Sequence, residues 1–349
     1  MMLGDLGVEV IKVERPLVGD ETRGWGPPFD AQHTSAYYLS VNRNKLDVTL
    51  DLDREPDRVT LNQLIEGADV VLDNYRSGVL ERHGLDRSGL LSRHPRLIWC
   101  TVSGFGTHSD RPAYDFVVQA ESGWMSVTGE PDGAPMKSGI ALADVIAGKD
   151  AAIAILAALV ARGRSSEPLS VEARSLDVSL SRSSVASLVN VAQNVLVSGV
   201  DAGRWGNAHP NLVPYQLFRA ADRHIVVAVG SDAQWPAACR AIGLEMLALD
   251  QALATNAGRL QQRDRIVAAY ADSLSRRDAG FWLGVLGAAG VPCGVVKTVR
   301  EALRSVEASP STGVEPSVPG SVRRAPPKLD EHGALIRSHG WDAFRRLAD

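Results

Sequence analysis

The sequence predicts a mixed α/β protein, with a largely parallel, doubly wound sheet in its first part and a smaller α/β domain after it. Three observations carry this expectation. Short β-branched runs alternate with helical segments through the first hundred residues, a helical stretch rich in Ala, Ile and Leu fills 139–200, and the pattern after Asn207 changes to paired strands followed by amphipathic helices.

The elements follow in order. Val8 to Glu14 is short and β-branched and runs into the Gly- and Pro-rich loop 15–29. Leu46 to Leu52 alternates with period two, as a half-exposed strand does. A helix over 57–67 leads to a strand at 68–73, then to a helix near 77–83 and a strand at 96–102. Two long helices are expected at 145–161 and 178–197. The segment 214–231 reads as strand, turn at Asp222-Arg223, strand. Helices at 232–242, 261–275 and 278–289 and a strand at 291–296 follow, with a final helix over 330–347. The expected division is a large domain over 1–200 completed by 328–349, a small α/β domain over 210–303, and a linker at 304–327 rich in Ser, Pro and Val.

Composition excludes several classes of function. A chain of 349 residues exceeds what one hydrophobic core usually holds. No apolar run reaches the roughly 20 residues that cross a bilayer, and no basic segment followed by an apolar core opens the chain. A cytoplasmic protein without a membrane partner is therefore expected. The net charge of -4 gives no reason to expect nucleic acid. The three cysteines, Cys100, Cys239 and Cys293, form no CxxC pair, and the eight histidines show no HxxxH or HExxH spacing, so no metal site is expected. There is no GxxxxGK[ST] phosphate loop, no GxGxxG and no GxSxG elbow.

In open parallel sheets, ligands bind outside the carboxyl ends of the strands. The residues at those ends are Arg15, Asn74 with Tyr75, and Ser103-Gly104-Phe105. Arg15, Arg23, Arg43, Lys45, Arg76 and Arg82 fall in or near the same loops, and guanidinium forks suit phosphate oxygens. A solvated charged face explains these cations equally well. Asp144 is the most informative single residue: the first charge after Lys137, set between Ile140-Ala-Leu-Ala143 and a long apolar helix. It reads as a helix N-cap or as a nucleophile held poorly hydrated, and the two are compatible. The positive end of the helix would keep the carboxylate ionised against the effect of burial.

EVIKVERP (9–16), GDETRGWGPPF (19–29), NRNK (42–45) and DNYRSGVLERHGL (73–85) resemble the N-terminal half of the class III CoA-transferases, the formyl-CoA and carnitine CoA-transferase family. The resemblance continues in register through RPAYDFVVQAESGWMSVTGEPDGAPMKSG (111–139), the Asp144 segment, GNAHPNLVPYQLF (206–218) and VPCGVV (291–296). It implies a Rossmann-like large domain, a small α/β domain and two chains interlocked as rings in a homodimer. It also implies coenzyme A and acyl-CoA as substrates, a small carboxylic acid as acceptor, and Asp144 as nucleophile through acyl-aspartyl anhydride and aspartyl-CoA thioester intermediates. By the same matching, Arg15 and Arg82 meet the CoA phosphates, Leu50 to Asp53 with Asn74 and Tyr75 line the adenosine, and Tyr114 with Asp115 sit near the pantetheine end. The superfamily also holds 2-methylacyl-CoA racemases, which use a His-Asp pair where Tyr114-Asp115 stands here; a phenol is a far weaker base than imidazole at neutral pH, which favours transfer. A silent CoA-binding paralogue is the other alternative. Its motive is that MMLGDLGVEV opens inside the segment matching the family's first helix, so the family's opening strand and glycine-proline turn are expected to be missing. GRSSEPLS (163–170) and Leu329-Asp-Glu-His332 also depart from the family pattern.

Overall fold

A computed structural model describes residues 1–305 and 322–347. The chain is a mixed α/β protein with parallel sheets, and it divides into two compact units. The first comprises Met1–Ser122, Gly139–Val189 and the C-terminal segment; the second comprises Gly123–Ser138 and Asn190–Ala308. Of the expected linker at 304–327, residues 306–321 lie outside the described residues.

In the first unit, β1 (Val10–Glu14) pairs in parallel with β2 (Lys45–Thr49), Ile11 opposite Leu46 and Val13 opposite Val48. A second parallel ladder joins β3 (Val70–Asp73), β4 (Ile98–Ser103) and β5 (Ser175–Ser179) in that order. The expected single sheet is thus two ladders, because β1 and β3 share no backbone pairing. Leu97, Ile98, Trp99 and Cys100 are all buried, as a strand covered on both faces requires.

The principal helices of this unit are α1 (Ala36–Val41), α2 (Glu55–Glu66), α3 (Arg87–Arg93), α4 (Asp115–Glu121), α5 (Leu142–Arg164) and α6 (Leu180–Ala186). In α5 the buried residues Ala143, Ala147, Ala151 and Ile155 recur every fourth position, and their small size lets the helix lie close on β4 and β5. Arg162 in its last turn favours the negative helix end and donates to Asp69 Oδ1 and to the Arg96 carbonyl, each at 2.6 Å.

Two helix expectations are corrected here. The helix near 77–83 is only a single tight turn, Glu81–His83, stopped by Gly84 at φ 79°. The true helix is α3, whose N-terminus is capped by Asp86 accepting from the Gly89 amide at 2.7 Å. The long helix at 178–197 is instead β5, α6 and α7 (Asn190–Ser198). Ser-Leu-Asp-Val-Ser at 175–179 alternates as an inserted strand, and Ser179 caps α6 from the Arg182 amide.

The second unit carries the antiparallel sheet β6 (Tyr215–Arg219), β7 (His224–Ala228) and β8 (Cys293–Val295). Helices α8 (Gln234–Ala241), α9 (Arg263–Leu274) and α10 (Ala279–Ala288) cover it with one core that includes Trp235, Tyr270, Phe218 and Leu286. Residues 123–138 group with this unit: Arg204 donates to the carbonyls of Glu130, Pro131 and Gly133, and the Gly206 amide donates to the Gly129 carbonyl.

The C-terminal segment returns to the first unit. Asp330 accepts from the Thr49 amide at 2.7 Å, His332 Nδ1 accepts from the Asp47 amide, and α11 (Gly333–His339) places Ile336 in a core with Leu46, Val48 and Leu64. The expected helix over 330–347 breaks at Gly340, whose φ of 54° and ψ of -129° no helix accommodates.

Candidate active site

A cavity of about 920 Å³ opens where β3 and β4 end, and every residue lining it belongs to the first unit. Asn74 and Tyr75 follow β3, Ser103 and Gly104 end β4, and Tyr114 and Asp115 enter α4. Asp144 and Gly148 face the cavity from successive turns of α5. Gly104 is required there, since a Cβ on it would collide with the Ala113 side chain. That close approach carries the 111–115 loop across the end of β4.

Asp144 stands third in α5 and is not its cap; the capping position is Ala141, which offers no side-chain acceptor. The cap comes from a different helix. Asp115 Oδ1 accepts from the Ala143 amide at 2.8 Å, and its Oδ2 accepts from Gln119 Nε2 at 2.7 Å. Asp144 therefore satisfies none of the free amides of the first turn, and its carboxylate accepts no hydrogen bond among the described residues. Although the side chain keeps solvent access at the cavity mouth, the surrounding protein withdraws the carboxyl from bulk water, and the negative Asp115 adds to that effect. Together they push the Asp144 carboxyl up to about 6. The sequence expectation of an N-cap is corrected: Asp144 lies inside the first turn of the helix, and the upward push of burial and Asp115 prevails.

Tyr37 of α1 and Trp25 form one wall, edge to face with centroids 5.2 Å apart, and Trp25 lies 6.2 Å from the Tyr114 ring. Burial raises the Tyr37 phenol, and the charges of Asp144 and Asp115 raise it further. Tyr38 points the other way, into the core, so adjacent tyrosines serve opposite faces. The loop that carries Trp25 is anchored by Arg23. It donates to both Glu14 oxygens (2.9 and 2.8 Å) and to the Tyr38 hydroxyl (2.6 Å) and stacks on that ring at 3.9 Å. Burial and Glu14 push the Asp47 carboxyl up to about 8, so it keeps a proton for Glu14; Arg23 and Asp47 hydrogen-bond Glu14 and, against the effect of burial, hold it down at about 2.

Of the residues singled out from sequence, the structure brings Asn74, Tyr75, Tyr114, Asp115 and Asp144 into one cavity. Arg15, Leu50, Asp53 and Arg82 are not among its lining. Arg15 is exposed and faces Glu21 at 3.8 Å, Arg82 donates to the Gly78 carbonyl, and Asp53 is exposed opposite His83 at 3.5 Å. Leu50 is core, 2% exposed, and offers a ligand no side-chain surface. Among the six cations noted at strand ends, only Arg76 lines the cavity; Arg23 and Arg43 are held by internal carboxylates and Lys45 by Asn42. Arg111 joins Arg76 there, stacked on Phe105 and paired with Glu121. Trp25, Tyr37 and Arg111 were not singled out; the doublet Tyr37-Tyr38 after the capping Ser35 was the available signal for the second of them.

A solvent-accessible carboxylate without a hydrogen-bond donor, in a cavity with aromatic walls and two guanidinium groups, suits nucleophilic acyl chemistry on an anionic ligand. Comparison with known proteins points the same way. The sequence profile of CoA-transferase family III matches residues 1–334. The succinate–glutarate CoA-transferase of Agrobacterium fabrum is 36% identical, over 96% of this chain and 89% of its own length. The acetyl-CoA:oxalate CoA-transferase of Acetobacter aceti is also 36% identical, over 96% and 90%. The crystal structure of a CaiB/BaiF family protein from Brucella suis superposes with a TM-score of 0.83 at 35% identity, covering 97% of this chain and 93% of that one. With a cavity of this chemistry and relatives matched along nearly the whole length, the chain belongs to CoA-transferase family III and is a class III CoA-transferase.

Proposed function

We propose that the protein moves CoA from an acyl-CoA to a small dicarboxylic acid, with Asp144 as the nucleophile. An Asp144 carboxylate oxygen attacks the thioester carbonyl carbon, the C–S bond breaks, and CoA leaves as thiolate from an acyl-aspartyl anhydride. The thiolate then attacks the aspartyl carbonyl and expels the donor acid as its carboxylate, leaving an aspartyl-CoA thioester. The acceptor carboxylate attacks that thioester, releasing thiolate and forming a second anhydride. Thiolate attack on its acceptor acyl carbon yields the new acyl-CoA and restores Asp144. Each step trades one anion for another, so no proton donor is needed.

The observation that carries this reading is Asp144 itself: raised to about 6, without a hydrogen-bond donor, and still mostly ionised at neutral pH. Relatives named for succinate, glutarate and oxalate, all dicarboxylic acids, support the acceptor class. Arg76 and Arg111 supply the positive charge that such an acid requires. Asn74, Tyr75, Tyr114 and Asp115 line the path of the CoA arm in this reading, and Arg15 and Arg82 meet its phosphates outside the cavity. The CoA site lies in a Rossmann-like large domain, with the second unit as the small domain. The protein works as an interlocked homodimer. Tyr114 in place of a histidine disfavours the racemase alternative, because no histidine lines the cavity among the described residues.

Incubation with succinyl-CoA and hydroxylamine, followed by peptide mass spectrometry, tests the proposal. Hydroxamate on the peptide that contains Asp144 is the expected result. Transfer of CoA to glutarate or oxalate without any such adduct, or an Asp144→Asn variant that retains its rate, overturns it.

A further inference from the structure

The network behind Asp144 contains a group that touches no substrate. Gln119 is 0% exposed, on the inner face of α4. Its Nε2 donates to Asp115 Oδ2 at 2.7 Å and to the Ile140 carbonyl at 3.3 Å, in the approach to α5. Asp115 is thereby fixed at both oxygens, one on Gln119 and the other on the Ala143 amide. A carboxylate held by two donors is fixed in orientation. From this geometry we infer that Gln119 is a positioning residue for CoA transfer: it pins the Asp115 carboxylate across the start of α5, and Asp115 in turn sets the charge environment in which Asp144 reacts. This rests on Asp144 being the nucleophile.

The charges facing Asp144 are few. Asp115 comes from α4, and the Tyr37 phenol from α1 faces both carboxyls. The elements packed on α5 bring Arg182 of α6, Cys100 of β4, Asp177 of β5 and Asp5 of the N-terminal turn, and none of these contributes to the Asp144 shift. Lys149 and Asp150, further along α5, contribute nothing to it either. Among the described residues, Asp115 is the charge through which a buried amide can act on the nucleophile.

The test is the acid limb of kcat/KM, which reports the free enzyme's essential base. Gln119→Met keeps the volume and removes the donor. Released from Gln119, Asp115 turns away, its negative charge near Asp144 weakens, and the limb moves to lower pH, by about half a unit or more. Asp115→Asn should move it in the same direction, and the double variant should move it no further than the larger single shift. An unchanged limb in Gln119→Met, or shifts that add in the double variant, overturns the inference even if the rate falls. Should Gln119→Met not fold, Gln119→Glu replaces it. A glutamic acid sharing one proton with Asp115 keeps the bridge until that proton is lost, so an alkaline limb absent from the wild type must appear; without it the inference fails. Asp144→Asn runs alongside: if that variant turns over, the nucleophile reading itself is wrong, a result distinct from a silent Gln119.

Discussion

Replacing Arg23 with Met should cost unit 1 about 3–5 kcal/mol, the range for stranding a buried carboxylate by removing its partner. The electrostatics of Glu14 point in the same direction. Glu14 is held at about 2 against an ordinary 4.5. That difference of 2.5 pH units, at about 1.36 kcal/mol each, is about 3 kcal/mol of net preference for the charged form. Burial alone pushes Glu14 the other way. Arg23 is the largest of the groups that lower it, ahead of Asp47, Lys12 and the Asp20 amide, so its share is of the same order as the range above. The pH dependence has a definite sign. A carboxyl depressed on folding contributes stability that is present above its unfolded value of about 4.5 and is lost as pH falls toward 2. Without Arg23 the buried Glu14 prefers to be neutral, and its contribution reverses: stability then falls as pH rises above about 4.5. The gap between wild type and Arg23→Met should therefore be largest near pH 7 and shrink steadily from pH 5 to pH 3. Urea unfolding followed by tryptophan fluorescence at several pH values measures it. A gap under about 1 kcal/mol at neutral pH, the size of an exposed ion pair, or one that does not change with pH, would refute the reasoning.

With Asp144 titrating at about 6, kcat/KM should rise roughly tenfold from pH 5 to a plateau above pH 7; a flat profile across that range would remove Asp144 as the essential base. Trp25→Ala removes the edge-to-face contact with Tyr37 and should raise KM for acyl-CoA by about 3- to 10-fold, equivalent to roughly 0.5–1.5 kcal/mol, with little change in melting temperature. Arg76→Ala should weaken inhibition by free dicarboxylates, and added salt should narrow the difference from wild type. Arg111→Ala should do less at any salt concentration, because Arg111 already shares its charge with Glu121.

Much of the first ladder was legible because its strands are β-branched and its loops rich in Gly and Pro. Asp144 stood out because a lone carboxylate beside a long apolar helix is costly unless it has a task. Other features depend on contacts far apart in sequence. Nothing near Asp144 shows that its helix is capped by Asp115, 28 positions before the Ala143 amide that it accepts from. β5 escaped notice because five alternating residues are a weak signal against the helical stretches on either side. Leu50 ends a strand and so reads as a rim residue, yet it is core, because Ile336 and Phe344 from the far end of the chain cover that ladder. The cations at strand ends illustrate the same point: sequence proximity does not distinguish Arg23, locked inside by Glu14, from Arg76, which is open to a ligand.

The hydrogen bonds from β2 amides to the His332 and Asp330 side chains span 285 and 281 residues. Closing such a loop is slow, because its entropy is lost before the contacts form. During synthesis the Leu46–Val48 ladder must therefore wait, half-covered, until Ile336 and Phe344 have been made, whereas the sheet and helices between 215 and 295 can pack well before. The protein's exposure to aggregation in the cell should be concentrated in that interval, and chaperones that bind nascent chains should find their target in the earliest strands rather than the latest.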